Sequence, residues 1–556
     1  LGLPATRVLW QRGYRDPDHA RRFLAPTLED LHDPYLLQDM DRAVARLHTA
    51  VKQKEKILLY GDYDVDGTSS VVILMTAIRL AGGEADFHVP HRLRDGYGMR
   101  TDVVEEAAAR GVRLIISVDT GIRAQAVVEH ANSLGIDVIV TDHHLPESKP
   151  GEKMPDLPPA VAVLNPNRPD CAYPEKNLCG AGVTFKLIQA FLGRLDWPKQ
   201  KTTRLLESFL KLTAIATVAD VVPLTGENRV IVKHGLDGLR DVRNAGLKAL
   251  IDVAGFKDGD VLSAGQVAFR IAPRINAAGR MASASDVVEM FLTTDAERAR
   301  TIANQLNDLN TERQQTEAGI IQKILDEVIE TPVADSDCAL IFAGEGWHRG
   351  VVGIVASRVV DRFHRPAFVL GIENGVAQGS GRSIPQFHLL DALESMPDLF
   401  GKFGGHRQAA GLTMSAADLP EFRRRLNQHA AALLTLDDFQ AVLEVSATLD
   451  LREATDAAMA QVLELAPFGF GNPAPTFAIE KAELTAAPEI KSEKHAALRF
   501  RQNGKNLRAM AWNFAERAAT LSAGQTVDLA VSIEPDPYSA ARGYSPWQAI
   551  VKDIRS

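Results

Sequence analysis

The sequence lacks most of the features that assign a chain to a class at sight. Its three cysteines, Cys171, Cys179 and Cys338, are an odd number with no C-x-x-C pair, so neither a disulfide framework nor a zinc knuckle is signalled. No stretch approaches 18 uncharged apolar residues, and no membrane span is expected. The opening LGLPATRVLWQRGYRD has neither the basic start nor the apolar centre of a signal peptide. The cytoplasm is therefore the expected compartment. A first residue of Leu rather than Met suggests a trimmed chain. Excess positive charge is missing as well. A formal charge of −9 does not advertise a nucleic-acid binder, although phosphate contact needs only a local basic track. Repeats and low-complexity tracts are absent. At 556 residues the chain is too long for one core, so three or four domains are expected.

What is present starts with alternation. Residues 56–144 read as strand–helix units: KILLY at 56–60, VRLIISV at 112–118 and IDVIVT at 136–141 alternate with helical stretches at 68–81, 102–110 and 123–134. This predicts an α/β domain built on a parallel, helix-covered sheet, with ligands at the carboxyl ends of its strands. LPESKPGEKMPDLPPA at 145–160 reads as a surface loop. A long helix is predicted from Asp295 to Glu330, opened by a Thr294–Glu297 capping box and striped by Ile302, Leu306, Leu309 and Ile320. It reads as a strut between domains. A smaller α/β unit follows at 336–432, and short alternating runs from 438 onward suggest a β-barrel, an OB-fold. The expected division is a helical lead-in at 1–50, the parallel-sheet domain at 51–235, a helical connector at 236–335, the second α/β unit at 336–432 and the barrel at 438–556.

The strongest chemical signal is GDYDVDG at 61–67, directly after a predicted strand. Asp62, Asp64 and Asp66 alternate there, so their carboxylates can converge, and they would repel one another without a cation. SVDTGI at 117–122 puts Asp119 at a second strand end, VTDHH at 140–144 puts Asp142, His143 and His144 at a third, and TVADVVPL at 217–224 offers Asp220. Taken singly, such an Asp is usually a helix cap. Three successive strands ending this way point instead to hard divalent cations, Mg²⁺ or Mn²⁺, with imidazole favouring Mn²⁺.

These four motifs, in this order, resemble the signatures of the DHH phosphoesterase superfamily, and the whole chain resembles its branch of bacterial single-strand-specific DNA exonucleases. The resemblance implies two ions held by Asp64, Asp66, Asp119, His143 and Asp220, with Asp119 bridging them. Asp62 is a further candidate ligand, because Tyr60 stands where a related branch carries a ligating His. His144 would face the substrate phosphate, and Asp142 would sit behind the ions, orienting His143 or shaping the turn. Asp119, His144 and Asp142 are thus the catalytic candidates.

Other blocks narrow the branch. VPHRLRDGYGM at 89–99 contributes Arg92 as a phosphate contact, and APRINAAGRM at 272–281 contributes Asn276 and Arg280. GEGWHRGVVGIVASRV at 344–359, which includes His348, GSGRS at 379–383 and FGGHRQAAGL at 403–412 resemble the DHHA1 domain. Ser380 and Arg382 would bind a terminal phosphate, and Gly404, Gly405 and His406 would approach the strand. APFGFGNPAPTF at 466–477 is similar to the block leading into that branch's OB domain. From residue 491 onward ten Lys/Arg face six Asp/Glu, a net +4, interleaved with Phe500, Trp512, Phe514, Tyr544 and Trp547. One or two of these rings are expected to face solvent as stacking surfaces.

The implied activity is two-metal hydrolysis of single-stranded DNA from its 5′ end to 5′-mononucleotides, in recombination and repair. The implied partners are single-stranded DNA, single-strand-binding protein and a RecQ-type helicase, and a monomer is expected. Two alternatives stand beside this reading. One is a DHH phosphodiesterase of short oligonucleotides or small nucleotides, which would need no barrel. The other is a catalytically inactive replication scaffold, which would have lost acidic ligands.

Overall fold

The computed structural model describes residues 1–92, 94–147 and 155–555. Residues 148–154 of the predicted surface loop lie outside this range. Strands β1 (Lys56–Tyr60), β2 (Glu84–His88), β3 (Val112–Val118), β4 (Asp137–Thr141) and β5 (Ala162–Leu164) form a parallel sheet in the order β2-β1-β3-β4-β5. The runs of Ile, Leu and Val in β1, β3 and β4 are buried on both faces, as a sheet covered by helices requires. The chain passes to one side after β1 and to the other after β3. The carboxyl ends of these two strands therefore flank a crevice at the topological switch point, where open α/β sheets bind ligands. Of the helix Val65–Leu80 only Thr76, Arg79 and Leu80 escape burial. A helix apolar on nearly all sides belongs inside a core, and this one packs against the helices Gly180–Gly193 and Lys199–Ala219.

The long helix runs from Ala296 to Glu330, about 52 Å at 1.5 Å per residue. Its cap differs from the predicted Thr294–Glu297 box. Asp295 accepts from the N–H groups of Glu297 and Arg298 at 2.9 and 3.3 Å, a carboxylate one residue nearer the first turn satisfying two free donors. Ile302 and Leu306 enter the core of the parallel-sheet domain, whereas Ile320 and Ile324 enter that of the following unit. The helix is a strut.

That unit carries β6 (Leu340–Glu345), β7 (Ala367–Glu373), β8 (Val376–Arg382), β9 (Phe400–Gly405) and β10 (Ala409–Ser415) in the order β6-β7-β8-β10-β9, with β6 and β7 parallel and the rest antiparallel. The last sheet contains β11 (Ala447–Thr448), β12 (Thr476–Leu484), β13 (Glu489–Lys491), β14 (His495–Gln502), β15 (Lys505–Ala511), β16 (Thr526–Pro535) and β17 (Trp547–Arg555). The path β12-β16-β17-β15-β14 closes on itself because Leu484 of β12 pairs with Phe500 of β14. Closure removes the open edges and gives the five-stranded barrel of an OB-fold.

The lead-in does not behave as one unit. Ala5, Val8, Leu9 and Phe23 complete the barrel core, while Met40, Val44 and Leu47 belong to the parallel-sheet core. An apolar stripe marks a helix face for burial without saying which distant core receives it.

Candidate metal centre and substrate cleft

Four chain segments deliver their acidic and imidazole groups to the crevice beyond β1, β3 and β4. Ligand atoms of Asp62, Asp64 and Asp119 lie within 4.8 Å of one another, and the same holds for Asp66, His143 and Asp220 and for Asp119, His143 and His144. Asp119 and His143 each belong to two of these groups. These shared residues join the three groups into one cluster.

Each residue is fixed by local structure. Asp64 is also the N-cap of the helix Val65–Leu80: its Oδ1 accepts from the N–H groups of Asp66 and Gly67 at 2.9 and 3.0 Å. Asp66 accepts from the N–H groups of Gly180 and Ala181 at 2.6 and 2.7 Å, the opening of the helix Gly180–Gly193, whose positive end favours a carboxylate. Asp119 stands at the end of β3 with φ of 60°, and its N–H donates to the Thr141 carbonyl. Asp220 caps the carboxyl end of the helix Lys199–Ala219.

The electrostatics call for a cation. Burial, then the neighbouring carboxylates, push Asp62 and Asp119 well above the ordinary range. Burial, Asp66 and Asp64 push Asp220 up to about 9. Among the described residues, Oδ1 of Asp62 and Oδ1 of Asp119 are buried with no hydrogen-bond partner, a costly state for a polar atom. Burial holds His143 below its usual range, leaving a neutral ring. Its Nε2 lies 3.2 Å from Asp119, 3.7 Å from Asp220 and 3.8 Å from Asp66. Carboxylate oxygens and a neutral imidazole around one point fit Mn²⁺ or Mg²⁺.

Asp142 lies behind this cluster and is fully buried. It accepts from the Ile122 N–H at 2.9 Å and the backbone N–H of His143 at 2.7 Å, and it holds Nδ1 of His144 at 2.7 Å. The imidazole it holds is that of His144, not His143, whose ring nitrogen Nε2 instead faces Asp119, Asp220 and Asp66. Burial pushes His144 down, but the Asp142 hydrogen bond and charge outweigh it and the net shift is upward. Asp142 thereby fixes a proton on Nδ1 of His144.

Opposite the carboxylates lies a set of guanidinium groups. Arg92 stacks over the Tyr63 ring at 4.9 Å. Arg280, half-buried, donates to the Gly350 carbonyl at 3.0 Å. Burial, then the charges of Arg92 and Arg313, push it down to about 10, and burial and Arg92 lower Arg382. A Cβ on Gly353 would lie 3.4 Å from both Arg382 and Ser380, so these two side chains share one pocket. No ion pair to Arg92, Arg280 or Arg382 occurs among the described residues. Uncompensated guanidinium groups of this kind suit a phosphate.

Other expected residues take supporting places. Oδ1 of Asn276 accepts from the Val65 N–H at 3.2 Å, so Asn276 tethers the metal-site helix to the connector. His348 accepts from the Gly350 N–H at 3.1 Å, shaping the turn that Arg280 reaches. Gly404 and Gly405 end β9, with open space beside Gly404 and backbone beside Gly405. His406, which follows Gly405 at the end of β9, is lowered by burial and by the charges of Arg123 and His144. Phe500 is barrel core, Phe514 and Trp547 pack partly against it, and Trp512 and Tyr544 are 51% and 73% exposed.

Sequence reasoning missed Gly180 and Gly279. A Cβ on Gly180 would lie 2.6 Å from Cβ of Asp119, and one on Gly279 would lie 2.5 Å from the Tyr63 carbonyl oxygen. The runs CGAG and NAAG were the available signals. Tyr97 was missed too; its hydroxyl lies 3.2 Å from Nδ1 of His144.

Comparison with known proteins agrees with this arrangement. The chain matches the N-terminal domain of the DHH family over residues 56–217, the DHHA1 domain over 335–432 and the RecJ OB domain over 445–553. The single-stranded-DNA-specific exonuclease RecJ of Dickeya dadantii is 39% identical over 491 residues, which are 85% of this chain and 83% of that one. The chain belongs to the RecJ family. The Bacillus subtilis RecJ is also 39% identical, over 529 residues, and the chain spans 64% of its length. The crystal structure of Thermus thermophilus RecJ in complex with Mn²⁺ superposes with a TM-score of 0.81 at 31% identity, covering 100% of this chain and 76% of that one. The Mg²⁺ complex of the same RecJ gives a TM-score of 0.75 at 29% identity, covering 100% of this chain and 75% of that one.

Proposed function

We propose that the chain is a metal-dependent, single-strand-specific 5′→3′ DNA exonuclease that hydrolyses phosphodiester bonds to 5′-mononucleotides in recombination and repair. The observation that carries this reading is the convergence of Asp62, Asp64, Asp66, Asp119, His143 and Asp220, with two buried carboxylate oxygens left without donors. Asp64, Asp66, Asp119, His143 and Asp220 would hold two divalent cations, with Asp62 completing the first site. When bound, the cations would activate a water for in-line attack and offset the charge growing on the phosphoryl oxygens.

The chain's own groups do the rest. Asp142 keeps the proton on Nδ1 of His144, leaving Nε2 to meet the phosphate or leaving oxygen. Arg92, Arg280, Ser380 and Arg382 bind the 5′-phosphate, which fixes the end from which the strand is read. The cleft between the sheet domain and the strut-linked unit admits one strand, and His406 closes its far side. Single-strand-binding protein and a RecQ-type helicase are the proposed collaborators, supported by family membership.

All the acidic ligands are present and converge, which disfavours the inactive scaffold, and the C-terminal barrel disfavours a phosphodiesterase of small nucleotides. Digestion of 5′- and 3′-labelled single strands with Mn²⁺, Mg²⁺ or EDTA tests the proposal. Release of 5′-labelled mononucleotide only with metal is expected. Release from the 3′ end first, or in EDTA, would overturn it.

A further inference from the structure

Neither the metal centre nor the arginine cluster uses the segment APFGFGN at 466–472, yet it is built with unusual care. Gly469 and Asn472 exchange backbone hydrogen bonds at 2.9 and 3.1 Å, forming a tight turn. Asn472 is buried, and its Nδ2 donates to the carbonyls of Leu465 and Pro467 at 3.0 and 2.8 Å. The turn sits on the loop that follows Asp220: the Leu224 N–H donates to the Phe470 carbonyl at 2.7 Å. A Cβ on Gly469 would lie 2.7 Å from Leu224, and one on Gly471 2.8 Å from Pro223. Gly471, at φ of 71° and against the Pro223 backbone, must be glycine for that approach, and Gly469 leaves the space that Leu224 fills.

Between these two glycines Phe470 is 60% exposed. Exposure alone is ordinary for a surface side chain, but here it falls on the tip of a hydrogen-bonded turn seated against the loop that follows Asp220. Leu224 is four residues beyond Asp220, so the Phe470 backbone lies within about 17 Å of the Asp220 backbone along an extended chain and one hydrogen bond. That is the reach of a few nucleotides. In the same loop Val221 is 63% exposed with φ of 57°, an outlier for a β-branched residue of the kind that gathers at functional sites.

We infer that Phe470, supplied by the C-terminal barrel module, is a nucleobase-stacking platform at the mouth of the metal centre. It holds one base of the strand a few nucleotides from the bond being cut. An aromatic face accepts any base, so the platform is sequence-tolerant. A base lying on Phe470 has left its partner and its neighbours, so the same contact disfavours a duplex. This inference rests on the nuclease reading above.

The test compares the chain with Phe470→Ala and Phe470→Trp on 5′-phosphorylated oligothymidylate, intact or with one abasic residue at each of the first five positions. For the unchanged chain, KM should rise about ten-fold when the abasic residue falls at one particular position, the loss of one base–aromatic stack. Phe470→Ala should raise KM about ten-fold on the intact strand, leave kcat nearly unchanged and lose the penalty at that position. Phe470→Trp should restore both KM and the penalty, and melting curves should be alike for all three chains. A Phe470→Ala chain with unchanged KM and the original abasic profile overturns the platform while the nuclease reading stands. Failure of the unchanged chain to cut any strand with Mn²⁺ would sink that reading, and the platform with it.

Discussion

Nε2 of His143 lies 3.2 Å from Oδ1 of Asp119, yet that oxygen has no hydrogen bond among the described residues. A neutral ring nitrogen and an unsatisfied carboxylate oxygen facing each other in a buried crevice are two donor atoms that a shared divalent cation would satisfy. Replacing Asp119 with Asn keeps the shape and removes the charge. Cleavage should fall by at least about a hundred-fold, the scale of losing one charge stabiliser. The metal-free variant should melt no lower than the unchanged chain, because a repelling carboxylate has gone. Activity assays at saturating Mn²⁺ and thermal melts in EDTA check both halves.

Arg382 shares its pocket with Ser380 and, among the described residues, pairs with no carboxylate. Arg382→Ala should therefore reduce the preference for 5′-phosphorylated over 5′-hydroxyl strands by about ten- to a hundred-fold, a charge-assisted hydrogen bond or two. Turnover of 5′-hydroxyl strands should change little. Steady-state rates on the two matched substrates measure this, and an unchanged ratio removes Arg382 from the clamp.

Two glycines should respond in opposite senses. Gly180→Ala places a Cβ 2.6 Å from Asp119, and overpacking of this kind costs about 1–3 kcal/mol. It should also weaken Mn²⁺ binding. Gly319 lies within the strut with open space around it, so Gly319→Ala should stabilise by about 0.5–1 kcal/mol without touching activity. Denaturant melts of both variants distinguish the two.

Stability should depend on pH in a sense set by the acidic cluster. Asp220 titrates near 3.8 when unfolded and is pushed up to about 9 in the folded, metal-free chain. Between these values the folded state binds more protons than the unfolded state, so its stability falls as pH rises. Metal-free melting temperatures should decline from about pH 4 towards pH 9. Asp220→Asn should flatten part of that slope, and Mn²⁺ should remove most of it.

The centre of the parallel sheet and the acidic motifs were legible because β1, β3 and β4 are short apolar runs leading straight into their acidic motifs, whereas β2, EADFH, and the three-residue β5 carry no such run and went unread. The strut was legible because the buried stripe of its 35-residue helix keeps one period from Ala299 to Ile324. Less visible were contacts made by absence. Nothing in CGAG or NAAG says that Asp119 or the Tyr63 carbonyl will occupy the space beside those glycines. Asp142 illustrates a finer limit. Its motif pointed to a residue behind the ions that orients His143 or shapes the turn; it does shape the turn, but only the fold decides that it grips the ring of His144 rather than that of His143. The split of the lead-in between two cores was equally hidden, since a helix stripe encodes burial without an address.

Calorimetric titration of the metal-free chain with Mn²⁺, beside the Asp119→Asn variant, tests the metal centre most directly. Two bound ions per chain are expected for the unchanged protein, with at least one lost in the variant. A chain that binds no Mn²⁺, or a variant that binds as many ions with the same affinity, would contradict a metal centre built around Asp119.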